Sequence, residues 1–261
     1  MHAAQDVCII DVRRFRVDHI RRNEMADEFL QRTRLMLGDE AVEKLGRAHV
    51  ALFGVGGVGG YCAEALIRAG VGTLTIVDND DVDVTNINRQ IIALHSTVGR
   101  PKTEVMAERL NDISPDAVII QKKMFFLPET AGEFDFSDYD YVVDAIDTVK
   151  AKLELIEKCK ACGTPVISAM GAGNKTDPAQ FQAADISKTE MDPLAKVMRR
   201  ELRARGINHL KVVYSKEKPL NTVVQGDGEQ AARHAPGSIS FVPPAMGLIL
   251  ASEVVKDLLR E

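Results

Sequence analysis

HVALFGVGGVGGYCAEALIRAGVGTLTIVD, residues 49–78, decides the fold. Its first five residues, 49–53, form a short apolar run suited to a buried strand. GVGGVGG follows at once, at residues 54–60. Residues 61–69 have helical periodicity, with Ala65 and Leu66 on the inner face, and Gly70 and Gly72 close the helix. Residues 73–77 are a second apolar run that ends at Asp78. Gly54, Gly56, Gly57 and Gly59 therefore lie between a strand and a helix. There, glycine lets the backbone turn tightly and approach a phosphate or ribose. Asp78 stands 21 residues after Gly57, a separation that suits a carboxylate bonding ribose hydroxyls. A glycine pattern alone is weak. Strand before, helix after and acid at the next strand end together predict a nucleotide site rather than an empty turn.

The alternation continues outward. A helix is expected over 102–111, after Pro101. Strands are expected over 117–122, 141–145 and 165–169, with a helix over 148–162. Strands alternating with helices predict an α/β fold: a Rossmann-like, mostly parallel sheet with helices on both faces. After Met170 the pattern loosens. GAGNKTDPAQ reads as turns, 193–205 as a basic helix and 217–237 as a loop, with a last helix over 246–259. Residues 185–187 are a short stretch of mixed apolar and polar character. Short strands are expected at 212–215 and 238–242, so a smaller C-terminal α+β extension completes the sheet. On the amino-terminal side, 27–45 reads as helix, anchored by Phe29, Leu30, Leu35, Leu37, Val42 and Leu45, with Asp39 as an N-cap. The expected organisation is a poorly ordered extension (1–24), a nucleotide-binding domain (25–171) and a substrate-facing extension (172–261).

The chain has 261 residues, 45% hydrophobic and 27% charged, the balance of a soluble globular protein with a substantial core. This excludes collagen-like and low-complexity classes. The most apolar stretch, 241–255, contains two prolines, a serine and a glutamate, so it reads as a buried helix. No membrane span or membrane association is expected. Net charge is −5, not the basic excess of a nucleic-acid binder, so any such site must be local. Residues 188–218 carry nine Lys and Arg against four acids. Lys196, Arg199, Arg200, Arg203 and Arg205 cluster on one helix and its end, as RNA phosphates or a solvated charged face would require. Of Cys8, Cys62, Cys159 and Cys162, only the last two form a CxxC. Core thiols are expected rather than a four-ligand zinc site. Asp6, Asp11, Arg13 and Arg14 interrupt any apolar leader, and a reducing cytoplasm is expected.

DNDDVDVTNINRQ, residues 78–90, sets the chemistry. Asp80, Asn86, Asn88, Arg89 and Gln90 share one loop, and Lys102 follows. Arginine and lysine aimed at a triphosphate stabilise charge building on the α-phosphate and on leaving pyrophosphate. An NAD-dependent dehydrogenase has no need of them. Asp147 lies just past the fourth strand, where open α/β sheets place ligands. A carboxylate there can hold Mg2+ against phosphate oxygens or cap the helix that follows. Asp144 is the second candidate for the metal.

GVGGVGG, the strand-end Asp78, TNINRQ, Lys102 in GRPK and DAIDT resemble the ThiF/MoeB (E1-like) adenylating superfamily, over about residues 32–171 and in the right order. The resemblance implies ATP and Mg2+ as cofactors. The glycines and Asp78 would hold the adenosine, Arg89 and Lys102 would contact phosphates, and Asp147 would bind the metal. Arg34, in RTRLMLG, resembles the arginine that reaches into the partner's site of a homodimer. The shared reaction is attack of a carboxylate on the α-phosphate of ATP. RTRLMLG, DAIDTVKAKLELI, GAGNKTDP, DISKTEMDPLAKVMRRELR and GSISFVPP are similar to the tRNA threonylcarbamoyladenosine dehydratase branch, from about Asp27 onward. That branch implies a tRNA substrate whose modified adenosine at position 37 is adenylated and then cyclised with loss of AMP. The alternative is activation of the C-terminal glycine of a small ubiquitin-like sulfur-carrier protein. The single CxxC and the basic segment count against it. No cysteine follows Cys162, which disfavours transfer through a covalent thioester. A sulfur-transfer or redox protein partner stays open.

Overall fold

The computed structural model describes residues 28–220 and 236–260. The expected amino-terminal extension, most of the 217–237 loop, Cys8 and Glu261 lie outside the described residues.

The elements run α1 (Gln31–Leu37), α2 (Asp39–Arg47), β1 (His49–Phe53), α3 (Gly59–Ala69), β2 (Thr73–Val77), α4 (Lys102–Ile113), β3 (Val118–Lys122) and β4 (Tyr141–Asp144). They continue with α5 (Val149–Cys162), β5 (Val166–Ala169), β6 (Phe181–Asp185), α6 (Pro193–Ala204), β7 (Lys211–Ser215) and α7 (Val242–Arg260). The seven strands form one sheet in the order β3-β2-β1-β4-β5-β7-β6. All pairings are parallel except β6 with β7. The α/β fold is therefore as expected, and strands beyond residue 171 extend the same sheet.

The period of two along each strand feeds two apolar layers. On one face Val50 and Leu52 of β1, Leu74 and Ile76 of β2 and Val143 of β4 pack with α3, α4 and α7. On the other, Ala51, Phe53, Val77 and Val142 pack with α5, α6 and the rings of Phe126, Phe134 and Phe136. Both faces being covered, strands such as HVALF are continuously apolar. In α7, Val242, Met246, Leu250, Val254 and Leu258 are buried, a spacing of four that lays one face on the core. Among the described residues no helix is long and apolar enough to cross a membrane.

Three local expectations are corrected. The helix expected over 27–45 is two helices, broken at Gly38 with φ 86. Gly38, not Asp39, is the N-cap of α2. The Asp39 carboxylate instead accepts a bond from Arg34. Leu30, Val42 and Leu45 are buried, whereas Leu35 and Met36 are 83% and 87% exposed. The mixed stretch 185–187 follows directly on β6, where Asp185 accepts the Ser187 N–H and turns the chain into a short 3-10 helix. The strand expected at 238–242 does not form. Val242 begins α7, and Pro243 and Pro244 sit in its first turn, where a missing N–H costs nothing.

Strand order places the functional end. β1 has β2 on one side and β4 on the other, so the connection reverses between β1 and β4. Ligand crevices open at the carboxyl ends of strands at such a point.

Candidate active site

The glycine loop and the loop after β4 meet at that crevice. Ala145 N–H donates to Phe53 O (2.8 Å). Gly54 has φ 94, and a Cβ there would lie 2.6 Å from Ala145 O. A Cβ on Gly59 would lie 1.8 Å from Gly54 O. These two positions admit only glycine. Gly57 lies against Arg89 and Pro243, and the nearest atom to a Cβ on Gly56 is the Gln90 amide nitrogen, 3.8 Å away.

Asp78 sits beneath the loop. Its Oδ2 accepts the Val55 N–H (2.7 Å) and its Oδ1 the Asp80 N–H (2.9 Å). Burial pushes its carboxyl above the usual range, opposed by the Lys102 ammonium and by those two N–H donors. Each oxygen keeps a lone pair for a further donor. Asp80 and Lys102 are joined twice, through Nζ to Oδ2 (2.7 Å) and through the Lys102 N–H to Asp80 O (3.0 Å). Lys102 is 5% exposed, so Asp80 fixes where its ammonium points.

The rest of the loop separates into different tasks. The Asn86 side chain accepts the Asp83 N–H and serves its own turn. Asn88 donates from Nδ2 to Ser238 O (3.0 Å) and accepts from Arg89 Nη1 (2.8 Å). Arg89 also donates to Thr85 O (3.0 Å). Gln90 is 7% exposed, and its Oε1 is buried with no hydrogen-bond partner among the described residues. Leaving such an acceptor dry costs about 1–3 kcal/mol. The Gln90 atom that faces Gly56 is the amide nitrogen, a donor from which a ribose oxygen there could accept. The orphaned amide and the open face of Gly56 thus fit a nucleotide.

The two acids of DAID diverge. Asp144 is fully buried and accepts from Lys152 Nζ (2.9 Å) and Ser168 Oγ at one oxygen and from Ile146 N–H (3.1 Å) at the other. Lys152 is fully buried as well and also donates to Ala169 O (2.7 Å). Asp144, the second candidate for the metal, is instead the counter-ion of a core lysine. Asp147 is exposed and, among the described residues, accepts only from the Thr148 hydroxyl (3.2 Å). Thr148 holds the N-cap position of α5, so Asp147 does not cap the helix. Its carboxylate projects from the loop that abuts Gly54.

Away from the crevice, the α6 cations fall into three groups. Arg199 turns inward and donates to Thr189 O (2.8 Å), Thr189 Oγ1 and Ile186 O. Its charge serves that turn. Arg200 and Arg205 both pair with Glu201. Lys196 and Arg203 are exposed and make no ion pair among the described residues. Arg34, on α1, is bonded to Asp39 at the start of α2 (3.2 Å). Cys62 and Cys159 are buried, and burial pushes both thiols far above their usual range, so neither is a ready nucleophile.

The ThiF family model matches residues 30–261. The chain belongs to the ThiF family. It is 47% identical over 241 residues to a tRNA threonylcarbamoyladenosine dehydratase of Bacillus subtilis, covering 88% of this chain and 94% of that protein. The crystal structure of Escherichia coli tRNA N6-threonylcarbamoyladenosine dehydratase, TcdA, in complex with ATP superposes with a TM-score of 0.82 at 34% identity. That match covers 90% of this chain and 95% of that one. The Escherichia coli sulfur carrier protein ThiS adenylyltransferase is 32% identical over 150 residues, covering 56% of this chain and 59% of that protein.

Sequence reasoning missed the Asp144–Lys152–Ser168 cluster. A signal was available, because Lys152 falls on the same helical face as Ile156 and Cys159, both buried. A lysine there requires an acid at the adjoining strand ends.

Proposed function

We propose that this protein is an ATP-dependent tRNA threonylcarbamoyladenosine dehydratase. The observation that carries the reading is the span of the likeness. The Bacillus subtilis and Escherichia coli dehydratases match 88% and 91% of the chain, including its C-terminal extension, whereas the sulfur-carrier adenylyltransferase matches 56%. The carboxylate of N6-threonylcarbamoyladenosine at tRNA position 37 attacks the α-phosphate of ATP, and pyrophosphate leaves. The carbamoyl group of the same nucleoside then displaces AMP and closes the ring.

The side chains divide this work. The glycine loop and Gln90 receive the adenosine, with Asp78 offering its remaining lone pairs to the ribose. Lys102, aimed by Asp80, and Arg89 face the phosphates and stabilise the charge that builds there. Asp147 would hold Mg2+. Among the described residues no group of three or more His, Cys, Asp or Glu is placed to hold a metal. One protein carboxylate completed by phosphate oxygens is a usual Mg2+ arrangement. The metal, when bound, neutralises charge on the departing pyrophosphate. Leu35 and Met36, exposed beside Arg34 on α1, support a homodimer reading. Burying that face against a second copy would carry Arg34 to the partner's site. A tRNA substrate is in keeping with a cytoplasmic enzyme.

Mass spectrometry of nucleosides tests the reaction. With pure protein, ATP and Mg2+, the modified nucleoside should lose the elements of one water, and only when ATP is present. An unchanged nucleoside would shift the reading to a small sulfur-carrier protein. For RNA contact, the exposed pair Lys196 and Arg203 is decisive, because Arg199 is spent on its turn. Lys196→Glu with Arg203→Glu should weaken tRNA binding about tenfold or more and lower the salt slope by about two. Filter binding across a salt series checks this. Unmoved affinity makes the helix a solvated face.

A further inference from the structure

Loop Gly171–Asp177, between β5 and β6, is bonded to three otherwise separate parts of the molecule. Lys175 is 3% exposed, and its Nζ donates to Asp192 Oδ2 (2.7 Å) and to Gly171 O. The other Asp192 oxygen caps α6 by accepting the Ala195 N–H (2.9 Å). The Lys196 N–H closes the first turn on Asp192 O (3.0 Å). Lys175 therefore joins the carboxyl end of β5 to the helix that carries Lys196 and Arg203.

The neighbouring residue reaches the other way. Asn174 has φ 58, and its N–H donates to Gly237 O (2.7 Å) while its Oδ1 accepts the Gly237 N–H (2.6 Å). The next carbonyl, Ser238 O, accepts from Asn88. Asn88 in turn accepts from Arg89. Gly173 leaves room for Pro236, which would lie 2.7 Å from a Cβ there. Glu217 completes the frame by accepting from the Thr176 and Asp177 N–H groups (3.0 and 2.9 Å). A continuous set of short bonds thus runs from Lys196's helix, through Asp192, Lys175 and Asn174, to Asn88 and Arg89.

We propose that Lys175 is a positioning residue, which sets the cationic face of α6 in register with the phosphate-facing loop that holds Arg89. The proposal rests on the tRNA reading. Two large substrates must bring one carboxylate to one phosphorus. An error of about 1 Å between their seats costs on the order of a hundredfold in rate without weakening either binding event. Lys175 touches neither ATP nor RNA in this scheme. It acts through Asp192 and the loop backbone.

The test is Lys175→Met combined with Asp192→Asn. Lys175→Met alone leaves Asp192 a buried unpaired charge and endangers folding. The double variant keeps a good N-cap in asparagine and buries no net charge. The expected result is a kcat lowered by about tenfold or more, with thermal unfolding still cooperative. ATP affinity by calorimetry and tRNA affinity by filter binding should both stay within about threefold of wild type. A folded double variant with wild-type kcat overturns the proposal. So does weakened tRNA binding at unchanged kcat, which would assign the loop to affinity rather than alignment. Wild-type protein that forms no cyclised nucleoside overturns the tRNA reading instead, and is told apart by that control.

Discussion

Asp147→Ala is expected to abolish Mg2+-dependent pyrophosphate release while the protein folds as before. Among the described residues the carboxylate accepts a single bond, from its neighbour's hydroxyl, and it is exposed. Little of the fold depends on it. It nevertheless stands on the loop packed against Gly54 at the reversal between β1 and β4, the crevice where phosphates of a nucleotide on the glycine loop would lie. Losing a metal-held charge there removes several kcal/mol of stabilisation, on the order of a thousandfold in rate. The internal control is Asp144→Ala, three residues away. That change strands Lys152 in the core and should cost about 3–5 kcal/mol of stability, read in a denaturant melt. Two acids of one short motif are thus expected to fail differently, one in chemistry and one in folding. Pyrophosphate release by Asp147→Ala at the wild-type rate would remove Asp147 from the mechanism.

That division was only half legible in the sequence. HVALF and TLTIV are strands because both faces of the sheet are covered, so apolar runs and strands coincide to the residue. The glycine loop was legible because Gly54 and Gly59 answer to backbone contacts that no other residue allows. The loop 78–90 was legible as a place but not as a set of contacts. Asn86 and Asn88 have the same side chain, yet one closes its own turn and the other reaches Ser238, 150 positions along the chain. Nothing local in a sequence distinguishes them. Arg199 and Arg203 are likewise one helical turn apart, and only the turn at Ile186–Thr189 decides that the first is consumed. The last helix begins at Val242 rather than at the expected 246, because Pro243 and Pro244 fit its first turn. The alternating residues of SISFV, without a neighbouring strand to pair with, form no strand.

Lys102→Ala should lower the rate of adenylation by about a hundredfold or more, the scale of roughly 3 kcal/mol for one electrostatic donor. Lys102 begins α4, so its ammonium is held by the helix, by burial and by Asp80 at 2.7 Å. Such a donor needs no reorganisation when charge develops on the α-phosphate and pyrophosphate. A few-fold effect would assign the lysine to structure alone. The variant also carries a pH signature. Burial raises the Asp78 carboxyl, and Lys102 is the largest opposing influence. A carboxyl whose folded pKa is raised contributes stability in acid that is lost as pH climbs through that folded value. Without Lys102 the folded value rises further, and ionised Asp78 weighs more heavily against the fold. Wild type and variant should therefore melt closest together below the ordinary aspartate range. The gap should widen as pH rises and Asp78 ionises. Thermal melts across that range, run beside pyrophosphate release at neutral pH, separate the two contributions. A rate loss far larger than the stability gap accounts for belongs to the phosphates. A stability gap that does not change with pH would mean that Lys102 does not act on Asp78.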